Sequence, residues 1–264
     1  MKKISDRKRI VIKVGTSTLT HRTGMLNIRR VEQLVKTLAD IQNSGHEVIL
    51  VSSGAIGLGM GKLGLRERPK DTPGKQACAA VGQCELMYLY DNLFAEYSIS
   101  VAQMLLTKYV LLEDRRKNVE NAMERLISHR VIPVINENDT VAIDELELEV
   151  GENDSLAAIV ADIAKADLLI IMSDIDGLYD KDPHTYEDAK LIPVVHEITD
   201  EIKALAGGAG TKLGTGGMIT KLNAVEIAYK SDIDVVLMNG QHPKTLYDLF
   251  DGKSVGTIFS KNDD

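Results

Sequence analysis

The chain is poor in cysteine and histidine, and it has no long apolar run and no cluster of basic residues. Only two of its 264 residues are cysteine. Cys78 and Cys84 lie six apart in an alanine-rich stretch with helical spacing. That fits neither a disulfide framework nor a C-x-x-C metal pair, so both are expected to be small buried hydrophobes. The six histidines are scattered without an H-x-x-x-H pair, which leaves zinc chemistry no ligand set. Apolar runs such as Leu168 to Met172 are far too short to span a bilayer, and the opening MKKISDRKRI carries charge without the apolar core of a leader. A cytoplasmic protein with no membrane partner is expected. A formal net charge of -8 without a basic run opposes a phosphate backbone, so no nucleic acid partner is expected either.

What is present is an ordinary globular composition, 27% charged and 44% hydrophobic. Neither a Pro/Ser-rich linker nor a repeat divides the chain, so one domain over residues 1–264 is expected. RIVIKVG (9–15) reads as a buried strand ending in glycine. Residues 27–44 place Ile28, Val31, Leu34, Val35, Leu38 and Ile41 at helical spacing, with Gly45 as the stop. Further strands are read at 47–53, 99–106, 131–136, 167–174 and 233–239, each preceded by a helical segment. This alternation predicts an α/β fold, a three-layer α/β/α sandwich with a mainly parallel central sheet. TVAIDELELEVG (140–151) has the period of a hairpin, KLIPVVHEI (190–198) reads as an edge strand interrupted by Pro193, and VGTIFSK (255–261) as a last strand.

Ligands of open parallel sheets bind beyond the carboxyl ends of the strands. Those positions read KVGTST, SSGAIG, NENDTV and SDIDGLY, a set suited to a polar, phosphorylated ligand. Lys13 interrupts its apolar strand beside Gly15; alone it reads as a lysine snorkelling from a strand end, and a second anion-directed lysine would reverse that. Ser53-Gly54-Ala55 opens a helix, either as an anion-binding turn or as a plain N-cap. GMGKLG (59–64) satisfies G-x-G-x-x-G, but it lies several residues past its strand and is read as a loop. Asn136, Glu137, Asn138 and Asp139 suit recognition of an ammonium or metal, or a solvated turn. Asn153 and Asp154 repeat that chemistry where Asp154 could also cap a helix. LGTGGMITKL (213–222) fails as a P-loop, because Lys221 follows Thr220 and precedes Leu222, yet glycines leading to a helix and a cation still suit an anion.

Taken together, KVGTS, SSGAIGLG, AQMLLT, PVINENDTVA, GENDSLAA, SDIDGLY and GTGGMITK resemble, in this order, the glutamate 5-kinases of the amino acid kinase superfamily. The resemblance runs from about Lys8 to Phe259. Its departures are GEND in place of GDND, Ser173-Asp174 in place of Thr-Asp and a slightly long hairpin between Asp139 and Asn153, and a form without the C-terminal PUA domain that many of these kinases carry is expected. It implies the amino acid kinase fold, with the N-terminal part mainly the glutamate site and the C-terminal part mainly the ATP site. Lys13 and Lys221 would contact the transferring phosphoryl group and Asp154 would orient them. Ser53, Gly54, Asn138, Asp139 and Asn153 would hold L-glutamate. Lys13, Gly15, Ser173, Asp174, Thr215, Gly216, Gly217, Met218, Ile219, Thr220 and Lys221 would hold ATP, with Mg2+ carried on the phosphates and no metal ligand from the protein. A role in proline biosynthesis, feedback inhibition by proline and a homo-oligomer, dimer or tetramer, are implied as well.

The chemistry suits these residues, because a glutamate side-chain carboxyl group ordinarily titrates at about pH 4.3, so it is already ionised and needs no general base. Two anions must instead be neutralised and aligned. The rival within the fold is another member such as acetylglutamate kinase, whose substrate has no free amine for Asp139. A non-catalytic amino acid sensor would not need Lys13, Asp154 and Lys221, and a nicotinamide oxidoreductase rests on GMGKLG alone.

Overall fold

The computed structural model describes residues 3–21, 25–107, 110, 112–141, 153–206 and 216–261. In chain order these form β1 (Arg9–Val14), α1 (Thr16–Leu19), α2 (Ile28–Asn43), β2 (Glu47–Ser52), α3 (Ala55–Lys62), α4 (Thr72–Ala95), β3 (Val101–Leu106), α5 (Glu113–Ser128) and β4 (Ile132–Glu137). Then follow α6 (Asn153–Ile163), β5 (Leu168–Ser173), β6 (Val194–Val195), α7 (Asp200–Ala206), α8 (Gly216–Lys230), β7 (Asp234–Asn239), α9 (Thr245–Phe250) and β8 (Thr257–Phe259). The strands make one sheet in the order β3-β4-β2-β1-β5-β7-β8-β6, parallel at every pairing except β7 with β8. The expected α/β architecture is therefore present. Pro193 directly precedes β6, which is two residues long and lies at the sheet's edge, where a missing N–H costs no ladder bond. Of the hairpin read at 140–151, residues 142–151 lie outside the described residues.

Period two along the strands decides what faces what. Val11, Ile49, Val51, Ile135, Leu169 and Ile171 pack on one face with the apolar sides of α5, α6 and α8. Ile10, Ile12, Leu50, Val134 and Ile170 pack on the other with α2, α4 and α9. Lys13 shares the face of Val11 and so lies beneath α6 and α8, whereas Ser52 shares the face of Leu50, beneath α4. The α2 helix forms as its spacing requires: Val31, Leu34, Val35, Leu38 and Ile41 are buried, although Ile28 at its first turn is exposed, and the Asn27 side chain accepts from the Arg30 N–H. Gly45, at φ +113°, ends it. Arg130, Lys165 and Asp232 take the same left-handed position after α5, α6 and α8 at φ 59°, 51° and 54°, without being glycine.

Two expectations are corrected. GMGKLG is not a loop, because Gly59 to Lys62 form the last turn of α3. The glycine that matters there serves helix packing: a Cβ on Gly59 would stand 1.8 Å from the Cys78 carbonyl oxygen of α4, and one on Gly82 would stand 1.7 Å from the Ala55 carbonyl oxygen of α3. Cys78 is buried against this crossing, but Cys84 is exposed on the outer side of α4.

The crossing gives a contrast within one helix. Gly59→Ala is expected to destabilise the protein by at least ~1–3 kcal/mol through overpacking. Gly61→Ala, exposed in α3 with nothing within 4 Å of the new Cβ, is expected to add up to about 0.5–1 kcal/mol, since alanine loses less backbone entropy than glycine. Urea unfolding of the two variants checks the opposite signs.

Candidate active site

At the carboxyl ends of the strands, β1, α6 and α8 bring three charged side chains together. Lys13 Nζ lies 2.5 Å from Asp154 Oδ1, and Lys221 Nζ lies 3.1 Å from Asp154 Oδ2. Their side chains are 10%, 12% and 1% exposed for Lys13, Lys221 and Asp154, so water screens the cluster little. Lys13 is not a snorkelling strand-end lysine. Burial works to raise the Asp154 pKa, but the charges and hydrogen bonds of Lys13 and Lys221 outweigh it and hold the carboxyl below the ordinary aspartate range. Two ammoniums on one carboxylate leave an excess of one positive charge in a buried place.

A glycine lies beside each lysine, at a distance where an added Cβ would only reach ordinary van der Waals contact. A Cβ on Gly15 would lie 3.7 Å from Lys13 Nζ, and one on Gly217 would lie 4.0 Å from Lys221 Nζ. An anion such as a phosphate fits this arrangement. Lys221 also donates to the Gly217 carbonyl at 2.9 Å within the first turn of α8. Thr220 Oγ1 donates to the same carbonyl at 3.0 Å and lies 3.5 Å from Asp154 Oδ2. Gly216 starts α8, Met218 packs against the core, and Ile219 is exposed. Thr215 lies outside the described residues. Ser173 ends β5, next to β1, and its hydroxyl donates to exposed Asp174 at 3.1 Å.

A second cluster adjoins the first through Asn153, the neighbour of Asp154. Asn153 Nδ2 donates to Ser53 Oγ at 2.7 Å and to Asn136 Oδ1 at 3.0 Å, and Asn136 Nδ2 donates to Gln83 Oε1 at 2.9 Å. Ser53 is thus no N-cap of α3. Gly54 takes that position at φ +105°, a conformation that favours glycine. Asn138 follows β4, and its Oδ1 accepts from Thr140 Oγ1 at 2.6 Å. Burial raises the Asp139 pKa above the ordinary aspartate value, with the Arg68 charge opposing. Asn136 was marked in the sequence only as one of four polar residues after a strand. Gln83 had no signal, being a glutamine in the middle of a helix.

Among the described residues, no group of three or more His, Cys, Asp or Glu is placed to hold a metal ion, and no helix is long and apolar enough to cross a membrane. The amino acid kinase family matches residues 8–239. The chain belongs to the amino acid kinase family. It is 52% identical over 261 residues to the glutamate 5-kinase of Clostridium perfringens, covering 98% of this chain and 97% of that one. It is also 52% identical over 258 residues to the glutamate 5-kinase of Clostridium tetani, covering 97% and 96%. Among solved structures, the carbamate kinase of Giardia lamblia superposes with a TM-score of 0.67 at 18% identity over 98% of this chain and 100% of that one, a likeness of fold.

Asp154→Ala would leave two buried ammoniums without a counter-charge and is expected to cost ~3–5 kcal/mol of stability, read by urea unfolding. Because its folded pKa is depressed, the stability that Asp154 contributes is present above the ordinary aspartate range and is lost as pH falls through the lowered value. The gap between wild type and Asp154→Ala is therefore expected to be constant near neutrality and to close only in strong acid.

Proposed function

We propose that this chain is a glutamate 5-kinase, which transfers the ATP γ-phosphoryl group to the side-chain carboxylate of L-glutamate and gives L-glutamyl 5-phosphate, the first step of proline biosynthesis. The observation that carries the reading is the buried Lys13–Asp154–Lys221 cluster with its excess positive charge, placed one residue from the Asn153–Ser53 pair. The full-length similarity to glutamate 5-kinases supports it.

The acceptor carboxylate is ionised at neutral pH, so the protein's task is to bring two anions together and to stabilise the charge that spreads over the phosphoryl oxygens in transit. Lys13 and Lys221, held on opposite oxygens of Asp154, would present two ammoniums to that group without having to reorganise. Gly15, Ser173, Asp174 and residues 215–221 would hold ATP, and Mg2+ on its phosphates would supply further neutralisation. Ser53, Gly54, Asn138 and Asn153 would hold glutamate, with Asp139 opposite its α-ammonium. A partly buried carboxylate whose ionisation is opposed by burial has most to gain from a cationic ligand. Feedback inhibition by proline and assembly into a homo-oligomer belong to the same proposal.

The deciding assay follows ADP release with glutamate, N-acetylglutamate, aspartate and UMP in parallel, with proline added to the active case. Turnover with glutamate is expected, and preference for any of the others overturns the reading. Lys13→Ala and Lys221→Ala are each expected to lower kcat at least ~100-fold, as for loss of a preorganised electrostatic donor. Asp139→Ala is expected to raise KM for glutamate well above any change in KM for ATP.

A further inference from the structure

Asn136 and Asn153 come from different elements, β4 and α6, and their amides meet above Ser53. An amide side chain has an acceptor end and a donor end of nearly the same shape, so something must decide which way each one points. We infer that Gln83, in the middle of α4, is a positioning residue that holds the Asn136 amide, and through it Asn153, in place over Ser53 and thereby sets what the pocket offers a substrate. The inference rests on the glutamate kinase reading of the same site.

Gln83 is 8% exposed, and its Oε1 accepts from Asn136 Nδ2 at 2.9 Å. That turns Asn136 Oδ1 toward Asn153, whose Nδ2 donates to it at 3.0 Å and to Ser53 Oγ at 2.7 Å. Both hydrogens of the Asn153 amide are then used within the protein. The Ser53 hydroxyl, having accepted, keeps its own proton to donate to a carboxylate, and Asn153 Oδ1 remains an acceptor for an ammonium. These are the two groups that the backbone of a free amino acid carries. With the chain reversed, the Ser53 proton would be spent on Asn153 Oδ1, and an NH2 group would stand where the acceptor is wanted.

The α4 helix is braced to do this. Gly82, next to Gln83, lets the Ala55 carbonyl approach at the start of α3, beside Ser53. Tyr90, further along the same buried face, hydrogen-bonds Ser52 Oγ at 2.9 Å. Gln83 Nε2 has no partner among the described residues, so the chain ends there on a single acceptor contact. Without that acceptor the buried Asn136 NH2 group is unpaired, and nothing at the α4 end holds the Asn136 side chain in place.

The test compares wild type with Gln83→Leu, with Gln83→Met as a second apolar variant should the first fail to fold, and with Gln83→Glu, whose carboxyl accepts in either ionisation state. Each apolar variant is expected to raise KM for glutamate at least about tenfold while KM for ATP stays within about twofold, the scale of one unsatisfied buried donor. Gln83→Glu is expected to recover most of the loss. A glutamate KM within about twofold of wild type in an apolar variant overturns the inference, by the same scale. So does an equal rise for both substrates, or no rescue by Gln83→Glu. If wild type is inert with glutamate but active with another carboxylate whose KM shows the same pattern, the functional reading falls and the role of Gln83 stands.

Discussion

Asp154 is 1% exposed and carries an ammonium on each of its two oxygens. Everything proposed for the site depends on this arrangement. A lone buried carboxylate would be costly to ionise, and two lysines brought together without it would repel one another. In the set of three each ammonium faces the carboxylate, and the formal charges leave one positive charge over. Such a cluster is costly to hold away from water unless its geometry is fixed, and here it is fixed from three directions, by β1, α6 and α8.

Two consecutive residues divide the work at the start of α6. Asn153 turns toward Ser53 and Asn136, and Asp154 turns toward the lysines. Successive residues on a helix point about 100° apart, since a turn takes about 3.6 residues, so one turn can serve two neighbouring sites without linking them by a flexible segment. Under the proposed function this places the acceptor carboxylate beside the phosphoryl group on one rigid element. The same economy holds in the sheet, where alternation sends Lys13 to the α6 face and Ser52 to the α4 face.

Much of this was legible in the sequence, because apolar runs of six or so residues separated by helical segments have few solutions other than a covered parallel sheet. Lys13 was visible as the charge that interrupts the apolar run of its strand after Arg9, and its partners lay where open sheets bind ligands. Chemistry that depends on the partner of a buried amide was not legible: Gln83 sits among alanines and a cysteine in α4, and no local pattern distinguishes it from a surface glutamine. GMGKLG was read as a loop, and three glycines in six residues do disfavour a helix interior, but at Gly59 the missing Cβ serves a close helix crossing. Helix ends were blurred where Arg130, Lys165 and Asp232 take the left-handed turn that Gly45 announces openly.

The central claim is that the buried cluster serves transfer of a phosphoryl group to a side-chain carboxylate. An acyl phosphate reacts with hydroxylamine to give a hydroxamate, so the product of glutamate, ATP and the wild-type protein can be trapped and identified by mass. The account requires the hydroxamate of the glutamate side chain, formed in step with ADP and absent without glutamate. ADP released without a hydroxamate, or a phosphorylated product that does not react with hydroxylamine, would contradict it.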